Sequence, residues 1–209
     1  MTTSLLIFAK APEPGLSKTR LMPLLDAQEA AAAHEQLSRR VFQAMATSQL
    51  SIVLWGASQH PTLVDWAAQC GWPLRQQQGD DLGERMAQAL ADELAGGAER
   101  AILIGTDCPL MSANYVAQAE AALASADVVL GPAEDGGYVL IGCSRAVPEI
   151  FRGIEWGTNR VLEQTLKSAS QAQLRVTLLD TLWDVDRPED WRRFLALQAA
   201  EKKKTTDGV

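Results

Sequence analysis

Glu99-Arg-Ala-Ile-Leu-Ile-Gly-Thr-Asp-Cys-Pro-Leu110 is the stretch on which the fold turns. A charged approach gives way to an apolar run over 101–104, which stops at Gly105-Thr-Asp-Cys-Pro109. A short run that is apolar at every position and closed by Gly and Pro predicts a strand covered on both faces, as in a parallel sheet. Pro109 cannot donate to a ladder, so the strand ends before it. Asp107 then lies just past the carboxyl end of a central strand, where open α/β sheets bind ligands. A carboxylate in that place bridges to phosphate through a hard cation such as Mg²⁺. Equally, it caps the helix that starts near Ser112 or closes a turn.

Working outward, Ser4-Leu-Leu-Ile-Phe-Ala9 is a second buried-strand pattern, running into Lys10-Ala-Pro-Glu-Pro-Gly-Leu-Ser-Lys-Thr-Arg20. Pro12, Pro14 and Gly15 forbid regular structure there. Lys10, Lys18 and Arg20 against Glu13 leave this loop at +2 in a chain of net charge -7. Cations beside a glycine that permits close approach suit phosphate oxygens. The loop is neither a Walker A motif nor a Gly-x-Gly-x-x-Gly fingerprint. Read without a ligand, it is a solvated basic turn.

On the other side, residues 127–131 and 138–142 are two more buried strands. Pro132-Ala-Glu-Asp-Gly-Gly137 between them leaves no room for a crossover helix, so the pair is expected to run antiparallel. As a turn, Asp-Gly-Gly needs no ligand. Glu134 and Asp135 with Gly136 and Gly137 would also let a sugar or an acceptor approach the backbone. Further strands are expected over 51–56, 73–77 and 174–179, and helices over 26–48, 61–70, 81–94 and 112–123, from Thr158 or Asn159 onward, and after Arg187. Asp81 with Glu84, and Asp186 with Glu189, have capping-box spacing. That role accounts for Asp186 and leaves Asp184 unexplained. The expected architecture is one domain over 1–198, a three-layer α/β sandwich with a mostly parallel sheet and one antiparallel strand, followed by a flexible tail over 199–209.

Composition narrows the function classes. The 209 residues are 47% hydrophobic and 22% charged, as in a globular protein with a sizeable core. The acidic balance argues against a general nucleic-acid binder. The apolar run over 5–9 is too short for a signal peptide, and nothing approaches a membrane span. Cys70, Cys108 and Cys143 are odd in number and widely spaced, which suits idle thiols in a reducing cytoplasm. His34 and His60 are too few and too far apart for a metal box, and both read as structural or exposed.

Taken in order, Phe8-x-Lys10-x-Pro12-x-Pro14-Gly15-x-x-Lys18-Thr19-Arg20-Leu21, Gly79-Asp80-x-Leu-Gly-x-Arg85-Met86, Gly105-x-Asp107-x-Pro109, Gly131-Pro-x-x-Asp135-Gly-Gly-Tyr138 and Asp184-Val-Asp186 resemble a known group. It is the small bacterial glycosyltransferase-like proteins of the nucleotide-diphospho-sugar transferase superfamily, linked to arsenosugar biosynthesis and to radical-SAM or selenium gene neighbourhoods. The resemblance spans about residues 5–195. It implies a Rossmann-like GT-A fold, a nucleotide-bearing donor, a small acceptor, and Mg²⁺ or Mn²⁺. By position it assigns Lys10, Pro14, Gly15, Lys18, Thr19, Arg20, Gly79, Asp80 and Arg85 to the donor nucleotide and phosphates. It assigns Asp107 to the metal and to catalysis, with Asp184 or Asp186 as the second acid. Asp135 is the other catalytic candidate, and Glu134, Gly136, Gly137, Tyr138, Trp156 and Thr158 would face sugar or acceptor. Lys18-Thr-Arg-Leu-x-Pro23 also resembles the loop of phospholactate guanylyltransferase, and the overall order resembles the molybdenum-cofactor guanylyltransferase. Many sugar nucleotidyltransferases place a Lys after this proline for the α-phosphate, whereas here Leu24 follows Pro23. The leading expectation is metal-assisted glycosyl transfer. The alternatives are nucleotidyl transfer from a nucleoside triphosphate and a non-catalytic nucleotide-binding partner.

Overall fold

Alternate residues of the first apolar run go to opposite faces, as the two-residue period of a strand requires. Leu5, Ile7 and Ala9 enter one hydrophobic core, Leu6 and Phe8 the other. In the computed structural model, which describes residues 2–207, this run is β1 (Thr3–Ala9). The other strands are β2 (Ser51–Gly56), β3 (Leu74–Gln76), β4 (Arg100–Ile104), β5 (Val128–Pro132), β6 (Tyr138–Cys143) and β7 (Val176–Leu178). Their order in the sheet is β3-β2-β1-β4-β6-β5-β7. Only β6 opposes its neighbours, running antiparallel to both β4 and β5. The expected fold class, including the one antiparallel strand, is therefore observed.

Helices cover both faces. On one side α1 (Ala27–Met45), α2 (Pro61–Cys70) and α4 (Ala113–Ala122) present Val41, Trp66 and Val116 to the core. On the other, α3 (Leu82–Ala95) and α5 (Val161–Gln171) present Met86, Leu90 and Ala169. The Leu37, Val41 and Met45 stripe of α1 is fully buried. That helix opens on a complete capping box, Asp26 accepting from the Glu29 amide and Glu29 accepting from Asp26.

A third, smaller core gathers Leu21, Ala33, Leu37, Trp183, Val185, Trp191 and Phe194. It pins α6 (Pro188–Asp207) against α1 and the loop after β1. Residues 199–207, part of the stretch expected as a flexible tail, continue α6. Arg40 holds Glu201 there through its two terminal guanidinium nitrogens, at 2.9 and 2.6 Å. The last two residues lie outside the described ones.

Three local expectations need correction. The helix expected from Thr158 or Asn159 begins at Val161, because the Thr158 hydroxyl donates to the Glu155 carbonyl and shapes a turn instead. The Asp186–Glu189 capping box gives way to Asp190, whose carboxylate accepts from the amides of Asp186 and Arg187. At α3, Asp81 caps Glu84 as expected, but Glu84 reaches back to Asp80 rather than to Asp81.

Candidate functional site

Strand order reverses between β1 and β4: the chain leaves β1 toward β2 on one side and β4 toward α4 and β5 on the other. Such a switch point opens a crevice beyond the strand ends. The crevice here is a cleft of about 500 Å³. Lys10, Lys18, Thr19 and Arg20 from the loop after β1 line it, with Asp107 beyond β4 and Asp184 and Asp186 before α6. Phe8, Leu82, Met86, Leu103 and Tyr138 supply its apolar wall.

Asp107 does not cap α4; Ser112 does, accepting from the Tyr115 amide. The Asp107 backbone instead accepts from the Val185 amide, and its side chain faces two basic groups. Lys18 Nζ stands 2.8 Å from Asp107 Oδ2 and also donates to the Val185 carbonyl. His34 Nδ1 lies 3.6 Å from Asp107 Oδ1. His34 Nε2 is 2.9 Å from the Lys10 carbonyl. A carbonyl only accepts, so that nitrogen carries a proton. Burial disfavours the Asp107 carboxylate, but Lys18 and His34 outweigh it and hold the carboxyl well below the usual carboxylate range.

Asp184 behaves in the opposite way. Trp183 and Val185 on either side of it are buried, so the extended chain turns Asp184 away from their core and into the cleft. Burial, reinforced by the charges of Asp135 and Asp107, pushes its carboxyl up to about 6. Asp186 is occupied, 2.6 Å from Arg20 Nη1.

Among the described residues no set of three or more His, Cys, Asp or Glu side chains forms a metal cage. Mg²⁺ does not require one, since it commonly keeps waters and takes one or two carboxylates plus substrate phosphates. Asp107 Oδ1 is buried without a hydrogen-bond partner, and Asp184 is crowded by like charge; both features fit a hard cation on these oxygens. Cys108 also lines the cleft, but burial pushes its thiol up to about 12, so it is no thiolate nucleophile at neutral pH.

Several expected residues are placed elsewhere. Gly79, Asp80 and Arg85 fold onto one another at the start of α3, Arg85 Nε donating to the Gly79 carbonyl, while Gln77, Leu82 and Met86 beside them line the cleft. Glu134 turns outward to a two-pronged pair with Arg193 at 2.7 and 3.0 Å. The space expected at Gly136 is filled by the backbone of Asn159. Asp135 is exposed and accepts from the Gly137 amide at 2.8 Å. Trp156 packs edge-on against Tyr138 and lies over Gly83, where a Cβ would come within 2.6 Å of the indole. Thr158 serves its own turn. Lys10 donates to the Leu16 carbonyl, so all three loop cations have internal partners. His34 is the residue that sequence reasoning missed. Its spacing to Leu37, Val41 and Met45 sets it on the buried face of α1, which was the available signal.

Sheet order, the single antiparallel strand and the switch-point cleft together define a nucleotide-diphospho-sugar transferase fold. Within that class, the chain belongs to the family described as "Uncharacterized protein conserved in bacteria (DUF2064)", whose model matches residues 29–158. A proposed nucleotide-diphospho-sugar transferase from Desulfovibrio desulfuricans has a similar structure, at a TM-score of 0.82 and 33% identity over 90% of this chain and 84% of that one. A CMP:2-keto-3-deoxy-manno-octonic acid synthetase in complex with CTP shares the fold at a TM-score of 0.60 and 12% identity, over 96% and 100% of the two chains. So does the 4-diphosphocytidyl-2C-methyl-D-erythritol synthase of Anaerococcus prevotii, at a TM-score of 0.60 and 11% identity over 90% and 92%. No curated protein sequence matches this chain.

Proposed function

We propose that the cleft transfers a sugar from a nucleotide-diphospho-sugar to a small acceptor, with Mg²⁺ or Mn²⁺ held through Asp107 and Asp184. What supports this is the meeting of two hard carboxylates and a basic loop at the switch point, in a chain 33% identical to a proposed nucleotide-diphospho-sugar transferase. The cation would neutralise the diphosphate leaving group, where charge develops during transfer. Lys18 and Arg20, which line the cleft, would meet that charge. Asp135, whose field reaches Asp184, is exposed beside the cleft and suited to orient the sugar or accept the acceptor's proton.

Nucleotidyl transfer is the second reading. It gains from the closure of Gly136 against Asn159, which removes room assigned to a sugar. Incubation with nucleotide-sugars, Mn²⁺ and candidate acceptors separates the two. Release of nucleoside diphosphate, slowed by Asp135→Asn more than donor binding is weakened, supports glycosyl transfer. Pyrophosphate from a triphosphate, with no diphosphate from any sugar donor, reverses the ranking. In calorimetry, Asp107→Asn and Asp184→Asn are expected to abolish Mn²⁺-dependent nucleotide binding while Asp186→Asn retains it. Unchanged binding in Asp107→Asn would sink the metal assignment.

A further inference from the structure

Lys18 is held more tightly than a phosphate-binding lysine needs to be. Its side chain is 7% exposed, whereas that of the Asp107 it touches is 43% exposed. Its ammonium sits between one carboxylate oxygen of Asp107 and the main-chain carbonyl of Val185. Carboxylate and carbonyl oxygens are the ligands of a hard cation. The backbone at Lys18 is left-handed, with φ 51° and ψ 38°. A residue with a Cβ keeps that conformation only where its surroundings impose it. Around it, the Lys18 carbonyl accepts from the Leu21 amide and the ammonium reaches Asp107 and Val185. On its other oxygen, Asp107 Oδ1 is buried without a hydrogen-bond partner and faces His34 Nδ1 at 3.6 Å.

An ammonium 2.8 Å from Asp107 and a divalent cation on the same carboxylate would repel each other strongly at such short range. Both cannot stay. We propose that Lys18 is the built-in competitor of the divalent cation: it occupies Asp107 when the cleft is empty, and the metal–nucleotide complex displaces its ammonium onto a ligand phosphate. This rests on the metal-dependent reading above and adds an order of events to it. Without nucleotide, the cation must evict Lys18 with nothing to receive the displaced charge, so metal alone binds weakly. With a nucleoside diphosphate present, the phosphate receives the ammonium and metal binding tightens. Linkage makes the effect mutual, so the metal tightens the diphosphate by the same factor.

The test is Mn²⁺ titration by electron paramagnetic resonance, with and without UDP, GDP or CDP, on the wild-type chain, Lys18→Met and Asp107→Asn. Lys18→Met is expected to bind Mn²⁺ alone about tenfold more tightly than wild type, and the Mn²⁺–diphosphate complex about tenfold more weakly. The opposite signs matter. If the lysine merely added positive potential, Lys18→Met would tighten Mn²⁺ in both conditions, and that result overturns the proposal. So does Mn²⁺ binding alone that is unchanged or weaker in Lys18→Met. Mn²⁺ binding that survives Asp107→Asn would instead remove the metal reading on which the exchange rests. A second measurement needs no variant: the Lys18 side-chain ¹⁵N signal should shift on saturation with Mg²⁺ and a diphosphate, as its carboxylate partner is exchanged for a phosphate. An unmoved signal overturns the exchange.

Discussion

At the scale of single residues, glycines divide into those that turn the chain and those that make room. Gly97 has φ +104°, and a Cβ there would meet nothing within 4 Å, so it supplies conformation alone. Gly136 has φ +89°, and its Cβ position is already taken by the Asn159 carbonyl. The Gly136 carbonyl accepts from the Leu162 amide, which ties the β5–β6 turn to the start of α5. Gly97→Ala should therefore cost about 1–2 kcal/mol, the usual penalty for a left-handed residue. Gly136→Ala should cost roughly 3 kcal/mol or more, because strain and a backbone collision add. Urea unfolding of the two variants measures the difference; equal costs would mean the Asn159 backbone relaxes freely. The sequence marks both positions as turns. Only the fold shows that one of them is also a packing site.

At the scale of elements, the edge strand β7 is only three residues long and needs more than its ladder. Asp127, at the start of β5, supplies it. Its carboxylate accepts from the Arg175 amide at 2.9 Å and from the Arg175 guanidinium at 3.1 and 3.2 Å. These hydrogen bonds, reinforced by the charges of Arg175 and Arg145, lower its carboxyl to about 2. An ordinary unfolded Asp titrates near about 3.9. The folded value lies below the unfolded one, so the stabilisation is complete above about pH 4 and is lost as pH falls toward 2. Arg175 is largely exposed, so solvent screening limits the gain at neutral pH to about 1 kcal/mol. Asp127→Asn should lose that amount at pH 7 and flatten the stability profile between pH 4 and 2. Denaturant melts across that range would show it; an unchanged slope would assign the acid sensitivity elsewhere.

At the scale of the whole molecule, the small core under α6 couples the chain's end to the cleft. Phe194 is fully buried among Leu21, Leu37, Trp183 and Val185, which flank the loop after β1 and the segment carrying Asp184. Phe194→Ala should cost about 3–5 kcal/mol and loosen the cleft as well. Removing residues 199–209 should cost about 1 kcal/mol or less on the strength of the half-exposed Arg40–Glu201 ion pair that it deletes among the described residues. Thermal melts of both variants test this ordering, and a truncation as damaging as Phe194→Ala would make the helix end part of the core structure.

The sequence by itself determined the sheet's strands, the antiparallel turn-back and the place of Asp107 beyond β4. Each of these is written within a few consecutive residues, as a run of apolar side chains, a Gly or Pro stop, or a connection too short to cross over. Only the tertiary structure decided which acids share the cleft. The resemblance left the second acid open between Asp184 and Asp186, yet one is driven inward by buried neighbours while the other is taken by Arg20. His34 reads as an isolated structural residue until α1 lays it beside Asp107. Lys18 reads as a free cation until the Asp107 carboxylate and the Val185 carbonyl enclose it. The physical reason is range: strand and turn signals are local, whereas the charge state and partners of a buried side chain depend on groups brought near it from distant parts of the chain.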